Sequence, residues 1–231
     1  MQPEFEPRSV YSGAGEVAVQ QNRVLRNTYL LLAVTMVPTV IGAMIGMATG
    51  GIIMQHPIIS SLVMIGAVIG LQFAIAANRD SALGIVLLLA MTFLLGWWLG
   101  PLLTVALSLR NGPQLVGFAA VGTGAIFFVM AAIATTSKRD FSFMGKFLFV
   151  GMIVLLVALI ANMFLQIPAL ALTISALVIV VFSLFLLHDV SRIVHGGETN
   201  YIMATTGVYM SLFNIFASLL QLLMALAGER D

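Results

Sequence analysis

Polar residues are scarce along this chain, and where they fall they separate seven apolar runs. The runs cover about 29–49, 57–77, 82–103, 115–134, 143–165, 169–188 and 203–227. Each comes close to the roughly 20 apolar residues an α-helix needs to cross a bilayer. Helix breakers lie between them: Gly50-Gly51, Asn78-Arg79-Asp80, Asn111-Gly112-Pro113, the polar stretch Ser137 to Asp140, Pro168 and Gly196-Gly197. The joints are short, so consecutive helices are expected to be antiparallel neighbours. Pro38 and Pro101 fall inside the first and third runs and are expected to bend them. The pattern predicts an all-α integral membrane protein: a seven-transmembrane-helix bundle occupying 28–231, with no room for a second domain.

The segment before the first run has a different character. Residues 1–27 are polar and mixed in charge, and Pro3, Pro7, Gly13 and Gly15 argue against a stable helix in the first fifteen. A signal peptide would place its apolar core almost at once. The expectation is therefore a flexible, uncleaved tail.

Composition agrees with the pattern. The 231 residues are 61% hydrophobic and 8% charged, against about 25% charged in a soluble domain. A net charge of +1 gives no electrostatic footprint for nucleic acid. Without cysteine there are no disulfides or thiolate metal sites. There is no dinucleotide fingerprint, phosphate loop or zinc-protease motif. No cofactor, metal or catalytic residue is expected, and the surrounding partner is membrane lipid.

The cations set an orientation. Arg8, Arg23, Arg26, Arg79, Lys138, Arg139, Lys146 and Arg192 fall on one side of a seven-span chain, and Arg110 and Arg230 on the other. Positive charge collects on the cytoplasmic face. The expectation is an N-terminus in the cytoplasm and a C-terminus in the periplasm. Helix contacts are expected where glycines recur every four residues, at Gly42, Gly46 and Gly50 and at Gly66 and Gly70.

Two features are candidates for chemistry. The last run carries Ala204, Gly207, Ser211, Asn214, Ser218, Gln221 and Ala225 at alternating steps of three and four, along one helix face. Such a polar stripe either ties helices together by hydrogen bonds or lines a wettable path. The second feature is "LFLLHDVSRIVHGGETNYIM", residues 184–203, which gathers five of the chain's twenty-two ionisable side chains, histidines included. Within it, Asp189 is the one acid that reaches into a span. At the C-terminal end of a helix, the dipole and burial both disfavour a charged carboxylate unless a cation compensates. Arg192, His188 and, from another loop, Arg79 are the available partners. Two readings stay open: a solvated interfacial acid, or a buried, proton-sensitive one. His195 is expected to be a surface residue at a helix end.

From these residues the chain resembles a known family. "HGGETNYI" followed by "YMSLFNIFASLL" is similar to the Bax inhibitor family, in its proteobacterial branch of FtsH protease modulators. "RVLRNTYLLL", "LGPLL", "TTSKRDFSFMGKFL" and "ANMFLQIPALALTISA" carry the same resemblance, which runs from Arg23 nearly to the end. It implies a bacterial inner-membrane protein that binds FtsH, a membrane-anchored ATP-dependent protease, and restrains its attack on membrane proteins. It also implies that the cytoplasmic tail is the segment FtsH grips.

The wider family implies a pH-sensitive calcium leak. In that arrangement two aspartates on late helices share a proton and pair with an arginine from the second helix. Asp189 matches the first aspartate and Arg79 lies near the arginine, but Ser211 stands where the second acid is expected. A serine cannot share a carboxylate titration, so the pair is incomplete. The alternative reading is therefore a calcium or proton path using Asp189, Ser211, Asn214, Ser218 and Gln221. A secondary transporter is disfavoured, because the prolines do not stand in matched positions of two repeats. An intramembrane hydrolase is disfavoured because no catalytic set lies at mid-membrane depth.

Overall fold

The computed structural model describes residues 10–228. Residues 1–9 of the expected tail, with Arg8, and Arg230 near the other end lie outside them. Seven helices are long and apolar enough to cross a membrane. They are α1 (Val10–Thr49), α3 (Pro57–Ala77), α4 (Ala82–Ser108), α5 (Gly112–Thr136), α6 (Gly145–Leu165), α7 (Pro168–Val194) and α8 (Tyr201–Gly228); α2 (Gly51–Gln55) is a short helix between two spans. A single 3-10 turn, Ser142–Met144, leads into α6. No strand occurs among the described residues.

The helix stops follow local chemistry. Pro57, Pro113 and Pro168 stand in the first turns of α3, α5 and α7, where the missing N–H costs nothing. Gly196, at φ 78°, ends α7 in a left-handed conformation that glycine adopts without strain. Pro38 and Pro101 lie within α1 and α4, both of which continue past them.

α8 is the central helix. It packs against α1, α3, α4, α5 and α7, while α6 stands outside against α7. The main core joins Leu31, Met64, Leu88, Met91, Leu186, Val190, Val208 and Ile215 from five of these helices. Large apolar side chains such as Phe73, Phe128 and Val121 point outward and stay exposed, as expected where the solvent is lipid.

α1 and α4 form the most extensive pair. A methyl group built on Gly42 or Gly46 would overlap the backbone of Phe93 or Trp97, and one on Gly96 or Gly100 would overlap Thr39 or Gly46. The two backbones therefore touch through glycines on both sides, the small-residue packing of membrane helices. Trp97 Nε1 donates to Thr49 Oγ1 at 2.8 Å along the same seam.

Two expectations need correction. Gly66 and Gly70 meet nothing within 4 Å, so α3 does not use them for close packing; α3 has few neighbours and turns that face outward. The chain is also helical well before residue 28. α1 starts at Val10 despite Gly13 and Gly15, and Val24 is buried in a cluster with Ile193 and Ala204. That tertiary contact holds the turn of α1 around Val24 against α7 and α8.

Candidate functional site

Three of the interhelical loops gather at one end of the bundle. There the start of the α1 span, the α3–α4 loop, the α5–α6 loop and the α7–α8 loop come together, through Val24 with Ile193, Asn200 with Arg79 and Asp80, and Phe141 with Ser191. Arg23, Arg26, Lys138, Arg139, Lys146 and Arg192 share this end with Arg79, whereas Arg110 sits at the opposite one.

Asp189 lies one turn inside that end, on the α7 face turned to α8. Its side chain is 18% exposed, and Oδ1 stands 3.0 Å from Nδ1 of His188, itself 10% exposed. A Cβ on Gly207 would stand 2.6 Å from Asp189 Oδ2, and one on Gly145 would stand 2.8 Å from His188 Nε2. Two glycines on neighbouring helices thus leave the space these two side chains fill. Phe185 closes edge-on against the His188 ring.

The cations expected beside Asp189 are engaged elsewhere. Arg79 is well exposed and pairs with its neighbour Asp80 at 3.6 Å. Arg192 donates to the Gly197 carbonyl and pairs with Glu198 at 3.2 Å. The physical reason is reach: Arg192 lies one helix turn further toward the loop, and Glu198 returns over it where Gly196 reverses the chain. Glu198 therefore serves the α7–α8 connection, its Oε1 accepting the Asn200 N–H at 3.0 Å.

Asn200 organises this end, and the sequence reading did not single it out. Its Oδ1 accepts the N–H groups of Ile202 and Met203, the work of a helix N-cap. Its Nδ2 donates to the Arg79 carbonyl and to Asp80 Oδ1, both at 2.8 Å. One side chain caps α8 and fastens the α3–α4 loop. An Asn just ahead of a long apolar run was the available signal.

A second missed junction lies between α7 and the α5–α6 loop. Ser191 is fully buried; its Oγ accepts the Phe141 N–H at 2.9 Å and stands 3.2 Å from His195 Nδ1. Asp140 accepts from both Ser142 Oγ and the Ser142 N–H. Those two bonds hold the Asp140 carboxyl below its ordinary range, with His195 adding a smaller pull in the same direction. His195 itself is exposed at the end of α7, as expected.

The polar stripe of α8 divides. Ser211 and Ser218 are buried. Asn214 donates to its own helix at the Met210 carbonyl. Gln221 accepts from Ser175 Oγ of α7 at 2.9 Å, a bond between helices. Above them Tyr209 reaches across to α1, its hydroxyl 2.8 Å from Thr39 Oγ1. Where the stripe has resolved partners on another helix, they are helix-joining hydrogen bonds.

Residues 21–228 match the family described as "Inhibitor of apoptosis-promoting Bax1". The chain belongs to the Bax inhibitor family. Among relatives, a membrane protein of Vibrio cholerae is 41% identical over 90% of this chain and 92% of its own length. An Escherichia coli K12 protein named "Modulator of FtsH protease YccA" is 40% identical over 87% of this chain and 90% of its own. Its counterpart in another Escherichia coli strain, named "Inner membrane protein YccA", has the same identity and coverage. With seven membrane-length helices, this Bax inhibitor family member is a multi-pass protein of the bacterial inner membrane.

Proposed function

We propose that this protein is a regulatory membrane protein that binds the FtsH protease and modulates its degradation of other membrane proteins. The observation that carries the reading is the 40% identity, over 87% of the chain, to the Escherichia coli protein named for that role. The clustered cations support a cytoplasmic position for the loop end, which puts the N-terminal segment on the side where an ATPase would pull. Affinity purification of the full chain from native membranes is expected to bring FtsH with it. Removing residues 1–18 is expected to slow FtsH-dependent turnover while the bundle stays folded. Recovery without FtsH above the level of an unrelated membrane protein would end this reading.

The alternative, a pH-sensitive calcium or proton leak, is favoured by one observation: a carboxylate at the α7–α8 interface, 18% exposed and paired with a histidine. Ser211 in place of a second acid counts against it. Calcium flux into liposomes separates the two readings. The leak predicts that Asp189→Asn changes the flux measured across about pH 6 to 8. Absence of flux from the parent protein across that range leaves the FtsH reading alone.

A further inference from the structure

A cleft of about 670 Å³ runs between α1 and α5, within the range of roughly 300–1,000 Å³ typical of small-molecule sites. Tyr29, Ala33, Met36 and Thr39 form one wall, Thr123, Gly124, Phe127 and Phe128 the other, and Tyr209, Phe213 and Phe216 of α8 the floor. The lining is almost wholly apolar. Its flanks are open to the side: Met36 is 40% and Phe128 71% exposed. At the cationic end the Tyr29 and Phe127 rings meet edge-on, with centroids 5.8 Å apart.

Length and charge say what fits. From Tyr29 to Thr39 the α1 wall rises about 15 Å, half of the roughly 30 Å hydrocarbon core of a bilayer, and so one leaflet. Arg26, Tyr29, Ala33 and Met36 follow steps of three, four and three, which places them on one face of α1. Arg26 is exposed, stands one turn beyond the cleft at the cationic end, and makes no ion pair among the described residues. The cleft walls carry no charged side chain, so the walls select an apolar chain and Arg26 selects an anion above it.

We propose that the cleft between α1 and α5 holds one acyl chain of an anionic glycerophospholipid from the leaflet at the cationic end, with the lipid phosphate at Arg26. The site is independent of FtsH binding. It takes its ligand from the bilayer through the side opening rather than from water.

Gly124 supplies the test. It lines the cleft, and a Cβ there meets nothing within 4 Å, so a larger side chain at this position starts in open space. The full chain is placed in phosphatidylethanolamine nanodiscs doped with phosphatidylglycerol carrying a diazirine midway along one acyl chain. Illumination is expected to label the segments bearing Met36, Phe127 and Phe213 above the segment bearing the outward-facing Phe73. Gly124→Leu, and Ala33→Leu from the opposite wall, are expected to lower cleft labelling about tenfold, with Phe73 unchanged. Arg26→Gln is expected to lower it more for the phosphatidylglycerol probe than for a matching phosphatidylethanolamine probe, whose ammonium group offsets the charge of its phosphate.

Cleft labelling no higher than at Phe73 overturns the proposal in the unaltered protein alone, whether or not the variants fold. Such a result would mean that another membrane helix or nothing fills the groove. Labelling insensitive to both leucine variants overturns it equally. An equal fall for the two probes in Arg26→Gln overturns the selection of an anionic lipid, and no fall for either overturns the phosphate contact.

Discussion

Gly207 leaves the space that the Asp189 carboxylate occupies: a Cβ on Gly207 would stand 2.6 Å from Asp189 Oδ2. The acid and the central helix are therefore matched in shape, and neither changes without consequence for the other.

Gly207→Ala is expected to destabilise the bundle by about 1–3 kcal/mol, the usual cost of overpacking. Adding Asp189→Ala removes the overlapping oxygen, so the double variant is expected to recover part of that loss. Thermal unfolding of the four proteins in one detergent checks the coupling. Simple additivity of the two single changes would refute the steric match.

The two glycine series are expected to behave differently. Gly46→Val drives a side chain into the Trp97 backbone and is expected to lower stability by about 3 kcal/mol or more, since neither backbone can yield. Gly66→Ala meets open space and is expected to stay within about 1 kcal/mol of the parent, stabilised if anything by helix propensity. The same melting experiment separates them.

Asn200→Ala removes an N-cap and two loop bonds at once, with an expected loss of about 1–3 kcal/mol. Asn200→Asp keeps the acceptor that caps α8 and loses the amide that holds the Arg79 carbonyl and Asp80. It is expected to spare the start of α8 while loosening the α3–α4 loop. Hydrogen exchange at Ile202 and Met203, compared with Ser81, distinguishes the two outcomes.

Asp140 makes a small pH-dependent contribution. Its carboxyl is held below the ordinary value of 3.8 by Ser142, so the charged form is the one the fold favours. The stabilisation is present above that ordinary value and is lost as the pH falls through the lower folded one. A carboxyl NMR titration is expected to find the midpoint below 3.8, and Ser142→Ala is expected to raise it toward that value. An unmoved midpoint would show that the turn contributes nothing.

Hydrophobic run length made the seven spans legible, because a bilayer imposes a minimum on every crossing helix. The breakers at Gly196 and Pro168 marked real helix ends for local steric reasons. The residues that failed depend on neighbours from distant parts of the chain. The α1 extension is helical alongside the burial of Val24 by Ile193 and Ala204. Gly66 and Gly70 have the same spacing as Gly42 and Gly46 but no helix against them. Asp189 sits in the segment expected to hold it, yet its partner is His188 rather than an arginine, because Glu198 and Asp80 take the two guanidinium groups. Nothing in one sequence states which carboxylate wins that competition. Asn200 was readable as a helix start, though its hold on Asp80 was not.

The glycine seam between α1 and α4 has a mechanical corollary. Two spans in backbone contact through their glycines bend as a single plank. The α1 wall of the lateral cleft is thus backed by a second helix, and widening the cleft means shifting both. A chain lodged there meets a mould of nearly fixed width, which favours slender, unbranched occupants over bulky ones.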